Sequence, residues 1–196
     1  MGKIVVSTNV TLDGISQDPT GDEGFKFGGW FNQISDADRE AWAGATCEEV
    51  LGIDALLLGG RSYEWFAERW VGREGAWGER LQSLPKYVVR STDGRSDWGP
   101  TTVLDSDIVG EVSKLRQAIA GDIVVYASYQ LVRTLLEHDL VDEIRLIVFP
   151  QVLGSGGRLF SELAESKPVR LTDVRTIGSG LVQLTYQAVR PGAPLA

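Results

Sequence analysis

Hydrophobic positions along this chain keep switching between two rhythms, short strand-like runs rich in Ile, Val, Leu and Thr, and longer stripes at helical spacing. The runs are Lys3 to Thr11, Asp54 to Leu58, Lys86 to Val89, Thr101 to Leu104, Ile123 to Ala127 and Glu143 to Phe149. Ile, Val and Leu dominate them, which suits strands covered on both faces of a parallel sheet, with Lys3 to Thr11 as the central one. Stripes fall between the runs. Ser35-x-x-Asp38 resembles a capping box and opens a helix to about Leu51. A second helix is predicted from Tyr63 to Trp70, a third along Val109, Val112, Leu115 and Ile119, and a fourth along Leu131, Val132, Leu135 and Leu136. Gly72 to Gly78 reads as a loop. Val169 to Thr176 and Leu181 to Val189, joined by Ile177-Gly178-Ser179-Gly180, read as an antiparallel hairpin. The pattern predicts an α/β fold in one domain, residues 1–196: a mostly parallel central sheet flanked by helices, with a C-terminal antiparallel hairpin.

The turns at the strand ends carry the candidate chemistry. In an open α/β sheet, ligands collect outside the carboxyl ends of the strands, where helix N-termini offer unpaired N–H groups to anions. Three turns belong to that edge: Gly59 to Ser62, Arg90 to Thr92 and Ala127 to Gln130. Arg61 and Arg90 supply cations suited to phosphate, and Ser91 and Thr92 supply hydroxyls for a ribose or a 2′-phosphate. Ser62 and Ser128 are read as helix caps. The candidate nucleotide-binding set is Asn9, Gly60, Arg61, Ser62, Arg90, Ser91, Thr92, Ala127, Ser128, Tyr129 and Gln130.

Asp13 to Phe31 holds Gly14, Gly21, Gly24, Gly28 and Gly29 among Phe25, Phe27, Trp30 and Phe31. Flexible backbone with aromatic cover suits a lid over a flat ligand, and equally a surface loop whose rings enter the core. Trp30 and Trp65 are the rings to watch for stacking. The net charge of −8 disfavours nucleic acid and anionic membranes as broad partners, so an anionic ligand requires a local cationic pocket. Cys47, the one cysteine, rules out an intrachain disulfide and fits a reducing cytoplasm. No apolar run is long enough to span a bilayer, and the start lacks a signal-peptide design. His138, the one histidine, falls in the last turn of a predicted helix without a second ligand, which argues against a metal site or a Ser-His-Asp triad. Pro191 to Ala196 reads as a loose tail.

Leu140-Val141-Asp142-Glu143 entering a strand, Pro150 ending it, and Val152-Leu153-Gly154-Ser155-Gly156-Gly157 leading to Leu159-Phe160 together resemble the dihydrofolate-reductase-like superfamily. The nearest branch in pattern is the reductase domain of the riboflavin-biosynthesis deaminase–reductase and its stand-alone bacterial relatives. Leu12-Asp13-Gly14 and Gly60-Arg61-Ser62-Tyr63-Glu64 are similar to segments of that family, and the second contacts cofactor phosphates there. The resemblance implies NADPH as cofactor, hydride delivery to a pteridine- or pyrimidine-like ring, a mobile loop over the site and a homodimer paired through the sheets. A dihydrofolate-reductase-type site uses a carboxyl group just after that loop, and Asp36 falls nearest the place, although an acid at a helix start also serves the helix dipole. Two departures stand out. Ala127 and Tyr129 occupy a turn where relatives carry glycines, and Arg90 stands where many have a small polar residue. The rival readings are a non-catalytic nucleotide-binding or interaction module on the same fold, and a reductase that uses a flavin.

Overall fold

The computed structural model describes residues 1–90, 98–160 and 163–189. Its strands are β1 (Lys3–Thr11), β2 (Ala55–Gly59), β3 (Lys86–Val89), β4 (Thr101–Leu104), β5 (Asp122–Tyr126), β6 (Glu143–Phe149), β7 (Val169–Ile177) and β8 (Leu181–Ala188). The helices are α1 (Asp36–Gly52), α2 (Gly60–Trp70), α3 (Ala76–Ser83), α4 (Ile108–Ala118) and α5 (Tyr129–Glu137). One eight-stranded sheet runs β4-β3-β2-β5-β1-β6-β8-β7. The first six of these strands are parallel, and β8 turns back against β6 and pairs with β7 as an antiparallel hairpin.

The side-chain period of two sorts the core into two layers. Ile4, Val6 and Val10 of β1 pack with Ile123 and Val125 of β5 against Val112 of α4 and Leu131, Val132 and Leu135 of α5. Val5, facing the other way, packs with Leu56, Leu58 and Val124 against Val50 of α1, Tyr63 of α2 and Leu81 of α3. Ile4, Val5 and Val6 are all fully buried, as a central strand covered on both faces requires. Each such side chain contributes about 1.5–3 kcal/mol of burial.

Several strand ends shift by one residue from the sequence expectation, and two boundaries differ by more. The stretch Gly72 to Gly78, expected as a loop, already enters α3 at Ala76. Only Trp77 and Leu81 mark its apolar face, and Gly78 lies within it because a Cβ there would sit 2.3 Å from the Arg73 carbonyl oxygen. Helix α2 begins at Gly60 rather than Tyr63, so Arg61 and Ser62 belong to its first turn. The expected tail, Pro191 to Ala196, lies outside the described residues.

Lys86 is an unusual core member, 1% exposed on β3. Its Nζ donates to the carbonyls of Leu84 at 2.8 Å and Gln82 at 3.2 Å and lies 4.6 Å from the centroid of the Trp98 ring. These partners favour the ammonium, but burial outweighs them and pushes the pKa down from 10.5 to about 8. Between those values the unfolded chain holds a proton that the folded chain has released, so raising the pH favours the fold. Denaturation measured from pH 8 to 10 is expected to show an increment of stability in the native protein that Lys86→Met lacks, with a slope of at most about 1.4 kcal/mol per pH unit.

Candidate functional site

Strand β2 runs into α2 without an intervening loop, and β5 runs into α5 through Ala127 and Ser128. These two junctions are bonded to each other. Ser128 Oγ accepts the Gly59 N–H at 3.0 Å and donates to Ser62 Oγ at 2.7 Å. Neither serine therefore acts as the helix cap its position suggests. Ser128 occupies the N-cap position of α5 with left-handed backbone, φ 59° and ψ 48°, but makes no side-chain cap bond, its hydroxyl being taken by Gly59 and Ser62. Ser62 lies inside α2, whose N-cap is Gly59. A Cβ on Gly59 would lie 3.3 Å from Ser128 Oγ, so glycine is what lets the junctions approach.

Ala127 shares the left-handed backbone, with φ 52°. The glycine-type turn is thus retained without glycine, at a cost of about 1–2 kcal/mol per residue. The replacement does not close the site, because Ala127, Ser128, Tyr129 and Gln130 all line a cavity of about 600 Å³. Gly60, Arg61 and Ser62 line the same end. Arg61 reaches Gln130 Oε1 at 3.5 Å across the gap between the two helix starts.

The opposite end is aromatic. Phe31, Trp42, Trp65, Phe66, Trp70 and Trp77 line it, with the Trp42 and Trp77 ring centroids 5.7 Å apart and those of Trp70 and Trp77 4.7 Å apart. Helices α1, α2 and α3 each supply at least one of these rings, so the unforeseen α3 is part of the wall. The loop after β1 closes over this end. Asp18 is 2% exposed and accepts the backbone N–H of Glu23 and Phe25, which folds the loop on itself. Asp22 then accepts from Arg69 of α2 at 2.6 Å, and the Arg69 guanidinium lies 4.1 Å from the centroid of Trp65. Trp65 stands where a stacking ring is wanted. Trp30 does not: it is fully buried, donates Nε1 to the Gln17 carbonyl and packs 5.2 Å from Phe149. Ser16 to Thr20 line the cavity while Trp30 enters the core.

At the foot of the loop, Asp13 accepts from Thr11 Oγ1 at 2.6 Å and from the N–H groups of Gly154 and Leu153. The Thr11 hydroxyl is the largest influence on the Asp13 carboxyl, burial opposes it, and the Gly154 and Leu153 N–H groups add to the lowering, with the net effect of holding the pKa at about 2. Arg158 donates back to the Asp13 carbonyl. This knot ties the glycine-rich segment before Leu159 to the start of the loop.

The remaining sequence candidates divide. Asn9 lines the cavity, its Oδ1 accepting from Trp42 Nε1 at 3.0 Å. Arg90 is absent from the wall, and its guanidinium lies 5.4 Å from the centroid of the Tyr63 ring. Ser91 and Thr92 lie outside the described residues. Asp36 is exposed in the first turn of α1 and is not part of the cavity lining. Its neighbour Asp38 is the buried acid there, accepting from Ser35 Oγ, from Ser179 and from the Gly180 N–H at the hairpin turn. Sequence reasoning missed Trp42, Trp70 and Trp77 as wall residues, and Ser7 and Tyr126 on the floor. Among the described residues no group of three or more His, Cys, Asp or Glu is placed to hold a metal ion, and no helix is long and apolar enough to cross a membrane.

A family model described as the RibD C-terminal domain matches residues 2–183. The chain belongs to that family. Within the RibD C-terminal domain family it is similar to the uncharacterized protein YyaP of Bacillus subtilis (strain 168), 30% identical over 189 residues that make up 94% of each chain. Its fold matches that of a riboflavin biosynthesis protein, described as putative, from Shewanella sp. PV-4, with a TM-score of 0.69 and 19% identity over 96% of this chain and 99% of that one. It also matches dihydrofolate reductase from Enterococcus faecalis complexed with NADP(H) and RAB-propyl, with a TM-score of 0.55 and 13% identity over 95% and 96% of the two chains. The fold is dihydrofolate-reductase-like.

Relief of the left-handed strain gives a direct test of the junction. Ala127→Gly is expected to raise stability by about 0.5–1 kcal/mol in chemical denaturation, the strain removed less the extra chain entropy of glycine.

Proposed function

We propose that this RibD C-terminal domain is an NADPH-dependent reductase of a small nitrogen heterocycle. One observation carries the reading: a single cavity runs from two adjacent helix N-termini to an enclosure of aromatic rings. The first end suits phosphate, because the free N–H groups and dipoles of α2 and α5 converge there beside Arg61. The second end suits two flat rings held face to face. Both are requirements of a nucleotide that donates hydride to a planar acceptor.

The residues that would hold the cofactor are Gly60, Arg61 and Ser62 on one junction and Ser128, Tyr129 and Gln130 on the other. When bound, the nicotinamide supplies the hydride. The chain's own contribution is orientation and exclusion of water. Ser128 Oγ holds the two junctions at a fixed separation, and the Asp22–Arg69 bond holds the loop over the aromatic end. Arg61 is the cation of the described wall nearest the helix starts, whereas Arg73, the other, lies at the aromatic end against Trp70.

Tryptophan quenching tests the reading, since several indoles line the cavity. NADPH is expected to quench the native protein saturably. Arg61→Ala is expected to weaken binding roughly tenfold, about 1.4 kcal/mol, the size of one charge-assisted hydrogen bond. Absence of any nucleotide binding would remove the reductase reading in favour of a non-catalytic module. Saturable binding would justify a hydride-transfer screen monitored by loss of NADPH absorbance.

A further inference from the structure

Beyond the helix starts the cavity continues into a recess that the aromatic end does not share. Val89, Ile108, Leu131 and Thr134 line it there. Val89, Ile108 and Leu131 pack in the layer that α4 and α5 lay against the sheet, whereas Phe66, Trp70, Trp77 and Tyr126 pack in the opposite layer, with α1, α2 and α3. The cavity therefore passes over the carboxyl edge of the sheet, from one layer to the other. The junctions of β2 with α2 and of β5 with α5 stand at the crossing.

Tyr129 belongs to that crossing. It is the first residue of α5, and the Cα–Cβ bonds of a helix tilt toward its N-terminus, so a side chain here projects back over the helix start. Tyr129 lines the cavity and is 43% exposed, an aromatic side chain open enough to close on a flat group. The related sequences carry glycines in this turn, so the ring is a feature of this chain.

We propose that Tyr129 is a specificity-determining residue. Its ring stacks on a flat base held in the recess of Val89, Ile108, Leu131 and Thr134, and so selects a ligand with a ring on each side of its phosphates, a dinucleotide, over a mononucleotide. The inference rests on the reductase reading for the role of the ring at the aromatic end, but not for recognition of the base. A nicotinamide or flavin mononucleotide fills the aromatic end, reaches the helix starts and leaves Tyr129 bare.

Three probes are titrated by calorimetry against the full chain. NADPH is compared with ADP-ribose, which keeps base and phosphates without nicotinamide, and with reduced nicotinamide mononucleotide, which lacks the base. Tyr129→Ala is expected to weaken NADPH and ADP-ribose about tenfold and to leave the mononucleotide unchanged. Tyr129→Phe keeps the ring face and is expected to stay within about twofold of the native protein for all three. Tyr129→Leu keeps bulk without a ring and is expected to lose affinity as the alanine variant does, so it decides should that variant fail to fold. No ADP-ribose binding by the native protein, undiminished binding in the variants without a ring, or an equal loss for all three probes overturns the proposal. ADP-ribose binding that depends on Tyr129, in a protein that oxidises NADPH with no acceptor of a hydride-transfer screen, sinks the reductase reading and upholds this inference. NADPH oxidation with affinities blind to the Tyr129 ring does the reverse.

Discussion

The site depends on one side chain holding two strand ends together. Ser128 Oγ accepts from the Gly59 backbone and donates to Ser62, so the start of α5 cannot move without the start of α2. The geometry has a cost, because Ala127 and Ser128 both adopt left-handed backbone without the freedom of glycine. Such strain persists only where the surroundings over-determine it, and it concentrates at binding sites. Here the surroundings are the fully buried Val124 and Val125 just before the turn and Leu131 and Val132 just after it. The core holds the strain, and the strain places the helix termini.

From that pair of junctions the rest of the cavity follows by covering one face of the sheet. The face carrying Val5, Leu56, Leu58 and Val124 is roofed by α1, α2 and α3, which leave a gap above the carboxyl ends of β1 and β5. Tryptophans fill the rim of this gap instead of closing it. The loop after β1 completes the roof through three acids, Asp13, Asp18 and Asp22, each accepting bonds from loop backbone, a hydroxyl or an arginine. On the proposed reading, a chain with net charge −8 can use carboxylates in this way and still hold an anion, because that role falls to backbone N–H groups and Arg61.

Most of the fold was legible in the sequence because the strands are short segments rich in Ile, Val, Leu and Thr bounded by turn residues. Lys3–Thr11, Lys86–Val89, Thr101–Leu104 and Glu143–Phe149 match the expected bounds for that reason. Helix α3 was not legible, since glycines bracket it and only Trp77 and Leu81 mark its buried side. The Gly60 to Ser62 and Ala127 to Gln130 turns were found from their chemistry and do meet in space. The roles of Ser62 and Ser128 were missed because a cap is a local pattern, and these serines pair across 66 positions of sequence. Asp36 and Asp38 make the same point. Spacing from the loop favoured Asp36, but only tertiary structure could show Asp38 buried beneath the hairpin turn 141 positions away.

The two ends of the cavity present different groups, and on the proposed reading that difference orients the ligand pair. At the helix starts the available groups are backbone N–H donors and a guanidinium. At the floor they are the lone pairs of Ser7 and Tyr126, whose hydroxyls both donate to Glu49. Arg145 does not reverse this, because Arg145 and Lys3 together face three carboxylates, those of Glu49, Asp122 and Glu143. The surplus is one negative charge, although Lys3 is half exposed to solvent and none of these five groups lines the cavity. On the proposed reading, a phosphate lies toward α2 and α5 and the two rings held face to face lie at the aromatic end.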